Sequence, residues 1–369
     1  METSINSNPW IRTPFFDFSF IMGGAFFTLF IAFLSFQFPT MVPVFFWIWV
    51  VFFEGSHFWA TYSRTYIDDK YRKQNSKVLY YSLIFFVFPI VAIVLENQFK
   101  TISFTVYYGF FIFVWSLYHN AKQHYGFLSI YAAKIKLEFS EKSKMTKSLY
   151  AVIVFSQIYF LVNFKLQGTF SIGTSFESSP ILIFMATKMF FILTFLGTLY
   201  FIFQAIQLQK KYGSKILPIV SYIATCLVFY CIMFYYVAHT DHFVTKDGVS
   251  VLILIAIMNS LFHNIQYHAI VWHYGQKRYT NQNEIQGFGI AKLVNGKTLN
   301  YFLVALFLGG VFGFIVWNVG SSPNINGSFT SNVNSWAYVL FFGIIGHHFY
   351  LDQKIWRPSK QSELKSYLS

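Results

Sequence analysis

Residues 41–60 read MVPVFFWIWVVFFEGSHFWA, and this stretch decides the class of fold. About 20 apolar residues in helical form cross the roughly 30 Å hydrocarbon core of a bilayer, and this run has that length and character. Its polar members, Glu54, Ser56 and His57, gather at the C-terminal end. A carboxylate or imidazole at membrane depth is costly and usually functional, so the span and a candidate site are legible in the same few residues.

The rest of the chain repeats the apolar pattern. Of 369 residues, 55% are hydrophobic, 22% aromatic and only 11% charged, which is outside the range of soluble globular proteins. Apolar runs of spanning length occur at about 17–37, 41–60, 78–97, 103–123, 149–165, 181–208, 216–238, 249–273, 299–318 and 334–351. The expectation is an all-α, polytopic transmembrane helical bundle of about ten spans, forming a single domain over 1–369. The first run is too long for a signal peptide and is read as a span. Residues Ser140–Lys147 and Ser321–Ser335 read as polar connectors, and the tail after Trp356 as a short cytoplasmic end. Cys226 and Cys231 lie five apart in the seventh span, about 140° around a helix, and read as small packing residues, not a bridge.

Charge orients the spans. An even number places both termini on one side, and 23 of the 27 Lys and Arg residues then fall on that side, leaving only Lys100, Lys165, Lys188 and Lys246 on the other. The positive-inside rule assigns both termini to the cytoplasm of an inner or plasma membrane. The formal charge of +13 is mostly this asymmetry, so no nucleic-acid partner is needed to explain it.

Eight of the ten histidines follow the same sidedness. His57, His119, His124, His263, His268, His273, His347 and His348 lie in the final turns of the second, fourth, eighth and tenth spans. His239 and His242 follow the seventh span on the opposite side. Imidazole is the commonest metal-ligand side chain, so this many at one depth point to metal chemistry.

Local spacing distributes the roles. Glu54 and His57 stand three apart on one helical face, the Glu-x-x-His arrangement of di-iron helical bundles; a structural pair of Glu54 with Arg64 or a protonated histidine is the competing reading. In WSLYHNAKQHYGFLSIY, His119 and His124 diverge by about 140° on a regular helix. Both serve one centre only if the helix ends or bulges between them, and Gly126 offers such an ending. The blander reading has Tyr118, His119 and Tyr125 anchoring at the interface. In NSLFHNIQYHAIVWHYGQKR, His263 and His268 are candidate ligands or ligand-orienting groups. Asn264 and, in the fourth span, Gln123 are secondary candidates, as is His273, which reaches toward water. In GIIGHHFYLDQKIWR, His348 and Asp352 share a face, and the carboxylate either ligates metal or accepts the second N–H of a ligand histidine; a pair with Lys354 or Arg357 is its rival. Adjacent His347 and His348 point about 100° apart.

Eight histidines with carboxylates on the cytoplasmic ends of several spans resemble the integral-membrane non-haem iron oxygenases, the fatty-acid desaturases and hydroxylases. The resemblance is one of count, sidedness and chemistry. HHFYLD, with His347 and Asp352, is also similar to the closing His-x4-Asp pattern of the Brp/Blh-type carotenoid dioxygenases, and HNIQYHAIVW resembles their paired-histidine helix at His263 and His268. Either resemblance implies one or two iron ions held by His57, His119, His124, His263, His268, His347, His348, Glu54 and Asp352, with O2 as co-substrate. It further implies an oxidoreductase acting on a lipid-soluble substrate by desaturation, hydroxylation or oxidative cleavage, supplied by an electron-donor protein. A bis-histidine haem cytochrome and a metal or proton transporter are the alternatives, although transport calls for ionisable groups through the bilayer centre.

Overall fold

The structure, a computed structural model, describes residues 8–163, 180–237, 248–280, 287–319, 334–357 and 362–368. Among these residues there is no strand. The helices are α1 (Pro14–Gln37), α2 (Pro39–Thr65), α3 (Asp69–Gln74), α4 (Ser76–Gln98), α5 (Phe104–Lys134), α6 (Phe139–Asn163), α7 (Pro180–Tyr212), α8 (Leu217–Ile232), α9 (Gly248–Tyr279), α10 (Ile290–Asn295), α11 (Thr298–Asn318), α12 (Ser335–Ile355) and α13 (Ser362–Leu368). Six stretches are long and apolar enough to cross a membrane: α1, α2, α4, residues Phe139–Val162 of α6, Phe184–Val237, and α11. Two of the four histidine-bearing helices, α5 and α12, fall outside this set because their polar side chains, histidine among them, lower the hydropathy of otherwise apolar helices.

Two local readings of the sequence are corrected. Residues Ser140–Lys147 form the opening turns of α6 and not a loop. There Glu138 and Glu141 accept hydrogen bonds from the Lys211 ammonium at 2.6 and 2.9 Å, and Glu141 accepts one from the Tyr212 hydroxyl. Gly126 neither ends nor bends α5, which runs unbroken to Lys134. A β-carbon at Gly126 would meet nothing, so the glycine is simply accommodated. His239, His242 and most of Ser321–Ser335 lie outside the described residues.

The chain groups into two compact units. One comprises residues up to Gln37, Leu117–Phe262 and the last two residues. Its anchor is Asp17, fully buried, whose carboxylate accepts hydrogen bonds from the N–H groups of Ile11 and Arg12 and from the Tyr131 hydroxyl at 2.9 Å. Three donors satisfy a charge that would be expensive to bury alone.

The other unit comprises Phe38–Ser116 and His263–Tyr367. Its apolar core joins Val50 and Phe58 of α2, Ile112 of α5, Phe312 and Val316 of α11, and Ile345 and Phe349 of α12. The closest approach is between α2 and α11. A β-carbon on Gly309 would collide with the backbone oxygen of Val51, one on Gly55 would sit 2.7 Å from Cβ of Phe312, and one on Gly313 2.9 Å from a Val51 methyl. Gly309 and Gly313 form the G-x-x-x-G spacing that lets helix backbones touch where lipid supplies no hydrophobic drive. In the same region α2 widens into a π-helical stretch, Trp49–Glu54, one turn before His57. At the far end of the unit the tail folds back: Lys277 donates to the backbone oxygen of Tyr367 at 2.8 Å, and the Tyr274 and Tyr367 rings meet edge to face.

The α2–α11 contact predicts that Gly309→Ala lowers stability by about 1–3 kcal/mol, the usual range for overpacking. Gly310→Ala, where a β-carbon meets nothing, leaves it unchanged. Thermal unfolding in detergent reads the difference, and equal midpoints for the two variants would contradict the close approach.

Candidate metal centre

Three of the predicted histidines meet. His57 of α2, His263 of α9 and His348 of α12 are 1%, 2% and 0% exposed, and each offers one ring nitrogen to a group in which all lie within 4.8 Å of one another. Their rings pack edge to face, with centroids 5.3 Å apart for His57 and His263 and 4.5 Å for His57 and His348. The sequence supplies one histidine per helix at the level where the three helices come together.

Hydrogen bonding fixes which nitrogens face inward. Nδ1 of His57 donates to the backbone oxygen of Glu54 at 2.7 Å; a carbonyl only accepts, so the ring proton is on Nδ1 and Nε2 carries the lone pair. Thr61 has one hydroxyl proton and gives it to Oδ1 of Asp352 at 2.6 Å. Its oxygen therefore accepts from Nδ1 of His348 at 2.8 Å, and Nε2 of His348 carries a lone pair as well. The two Nε2 atoms lie 3.0 Å apart, with Oδ2 of Asp352 3.5 Å from that of His348. Two lone pairs at this separation repel unless a cation sits between them. Nitrogens 3.0 Å apart and each about 2.0–2.1 Å from one metal ion subtend roughly 90° at it, the angle of neighbouring ligands.

One helical turn beyond the histidines lies a second layer. Thr61, Tyr267 and Asp352 each follow a site histidine by four residues, so the same three helices present them on the same faces. Tyr267 donates to Oδ1 of Asp352 at 2.7 Å, stands 2.8 Å from the Thr61 hydroxyl, and stacks its ring on His263. Trp356 completes the layer by donating its indole N–H to the Tyr267 hydroxyl at 3.2 Å. Thr61, Tyr267 and Trp356 are absent from the sequence-based set. The repeated four-residue offset from His57, His263 and His348 is the signal that finds the first two.

Three further candidates of the same unit, His347, His268 and Glu54, have partners outside this group. Both ring nitrogens of His347 meet hydroxyls, Nε2 those of Tyr66 and Ser82 at 2.9 Å each and Nδ1 that of Tyr62 at 3.2 Å. His268 is held likewise, between Ser56 at 3.0 Å and Tyr301 at 2.9 Å. The Glu54 carboxylate accepts from the amide of Asn264 at 2.9 Å, and the Glu54 backbone oxygen receives Nδ1 of His57. His273 is buried farther along α9. His119, Gln123 and His124 belong to the other unit. There Nδ1 of His124 lies 2.8 Å from the Tyr222 hydroxyl and 3.6 Å from the sulfur of Cys226, a buried free thiol.

Among the described residues the fold and the site define an all-helical protein with helices long and apolar enough to cross a membrane and a buried histidine cluster that could hold a metal ion. No protein-family model, curated protein or solved structure matches the chain.

The outer layer predicts that Thr61→Val, which keeps the shape but removes the acceptor for His348, weakens metal binding about 10–100-fold. Chelator competition on the purified protein measures this, and wild-type affinity in the variant would rule out an orienting role for Thr61.

Proposed function

We propose that this chain is a multi-pass membrane oxidoreductase in which His57, His263 and His348 hold iron for oxygen-dependent chemistry on a lipid-soluble substrate. The observation that carries the reading is the convergence of three buried imidazoles from three helices, two with their protons committed outward by Glu54 and Thr61. Neutral imidazoles with a carboxylate nearby suit ferrous iron and leave coordination positions for O2. Bound iron supplies the redox chemistry, and the protein's share is to orient the ligands and keep water away.

Sidedness supports the rest of the reading. About ten spans with both termini cytoplasmic put the cluster near the inner leaflet, where an apolar substrate enters from the bilayer and an electron-donor protein docks at the basic cytoplasmic face. His57 and His348 bring their Nε2 atoms to 3.0 Å, side by side, an arrangement that would suit a non-haem ion held by both and not a haem between them.

Elemental analysis of protein purified in detergent after iron-replete expression is expected to find a transition metal bound. His57→Ala, His263→Ala and His348→Ala each lose it, while His268→Ala, altering a hydroxyl-bonded ring, retains it. A metal-free wild type, or equal loss in all four variants, would remove the proposal.

A further inference from the structure

Beyond the histidine layer and the hydroxyl layer, α2 places a cation. Arg64 follows His57 by seven residues and Thr61 by three, on the same stripe of the helix and about 10 Å along its axis from His57. It is 4% exposed, and among the described residues it forms no ion pair. Its guanidinium carbon lies 4.0 Å from the ring centroid of Tyr274 and 4.1 Å from that of Trp356. Ring stacking occupies the faces of the guanidinium and leaves its edges, where the donors are, to other partners.

Among the described residues Nη1 of Arg64 is buried and meets no acceptor. Its neighbour Arg278, by contrast, pairs with Asp68 at 3.2 Å. A buried guanidinium without a hydrogen-bonding counter-charge is costly, and the usual remedy is an oxyanion, carboxylate or phosphate, that accepts several of its N–H groups at once. Tyr71 of α3 lies within electrostatic range of Arg64, and burial pushes its phenol up to about 12 against the opposing effect of the Arg64 charge. It is therefore a neutral O–H at neutral pH, suited to donate to the same anion.

We propose that Arg64, framed by Tyr274 and Trp356, is a receptor for the oxyanion head group of a membrane amphiphile. Arg64 is the penultimate residue of α2, at the end of the helix where a head group meets the interface, and the cluster lies two turns back toward the apolar middle of the same helix. Resting on the oxygenase reading, the site names the substrate class as an acidic amphiphile, held by its head while its hydrocarbon chain runs back to the level of His57.

The test is saturable binding of radiolabelled oleate to the full chain in a neutral detergent, carried out with and without bound metal. Wild type is expected to bind, Arg64→Met to lose at least tenfold in affinity at unchanged metal content, and Arg64→Lys to fall between them. Oleyl alcohol, which has the chain without the charge, should not compete. Binding that persists in metal-stripped protein supports the receptor even if the metal reading fails. Equal affinity in wild type and Arg64→Met, no saturable binding by either, or displacement of oleate by millimolar inorganic phosphate would overturn the proposal.

Discussion

The Thr61 hydroxyl is the contact on which the site depends. Its single proton goes to Asp352, and its oxygen faces Nδ1 of His348 and the Tyr267 hydroxyl. Three helices are thereby joined through one oxygen atom. Directional bonds of this kind count for more in a buried, low-dielectric setting than they do in water, and each unfilled position costs correspondingly more. His348, a turn away, takes its orientation from this layer, as metal-binding histidines generally take theirs from whatever receives the second ring nitrogen.

The layer also accounts for which histidines cluster and which do not. His347 and His348 are neighbours in sequence and similar in chemistry, yet one meets the hydroxyls of Tyr62, Tyr66 and Ser82 and the other points at His57. The rotation of about 100° per residue sends them to different faces of α12. His268 is the same case on α9: five residues from His263, it turns away toward Ser56 and Tyr301.

Much of the fold was legible because lipid imposes its demands on every residue of a span. The apolar runs fall on helices, and the expectation that histidines from separate helices would meet is met for His57, His263 and His348. What the sequence hid was phase. The interval between His119 and His124 suggested a break in α5 at Gly126, but a glycine with open space around it is no obstacle to a helix. The spacing of Glu54 three residues before His57 put the two on one helical face but did not show that the Glu54 backbone oxygen receives Nδ1 of His57 or that its carboxylate meets Asn264. Thr61 and Tyr267 were overlooked because a threonine and a tyrosine in an aromatic-rich chain draw no notice one at a time, and only their common offset from three histidines distinguishes them.

The π-helical stretch before His57 gives segment length a meaning of its own. Such a stretch accommodates an additional residue without breaking the helix, and one residue is worth about 100° of azimuth. His57 thus faces its partners by virtue of how many residues lie between Pro39 and Glu54, whatever their identity. Substitutions among the aromatic side chains of that segment alter packing, but a change of count by one turns His57, and Thr61 with it, by about 100° and dismantles the cluster and the hydroxyl layer together.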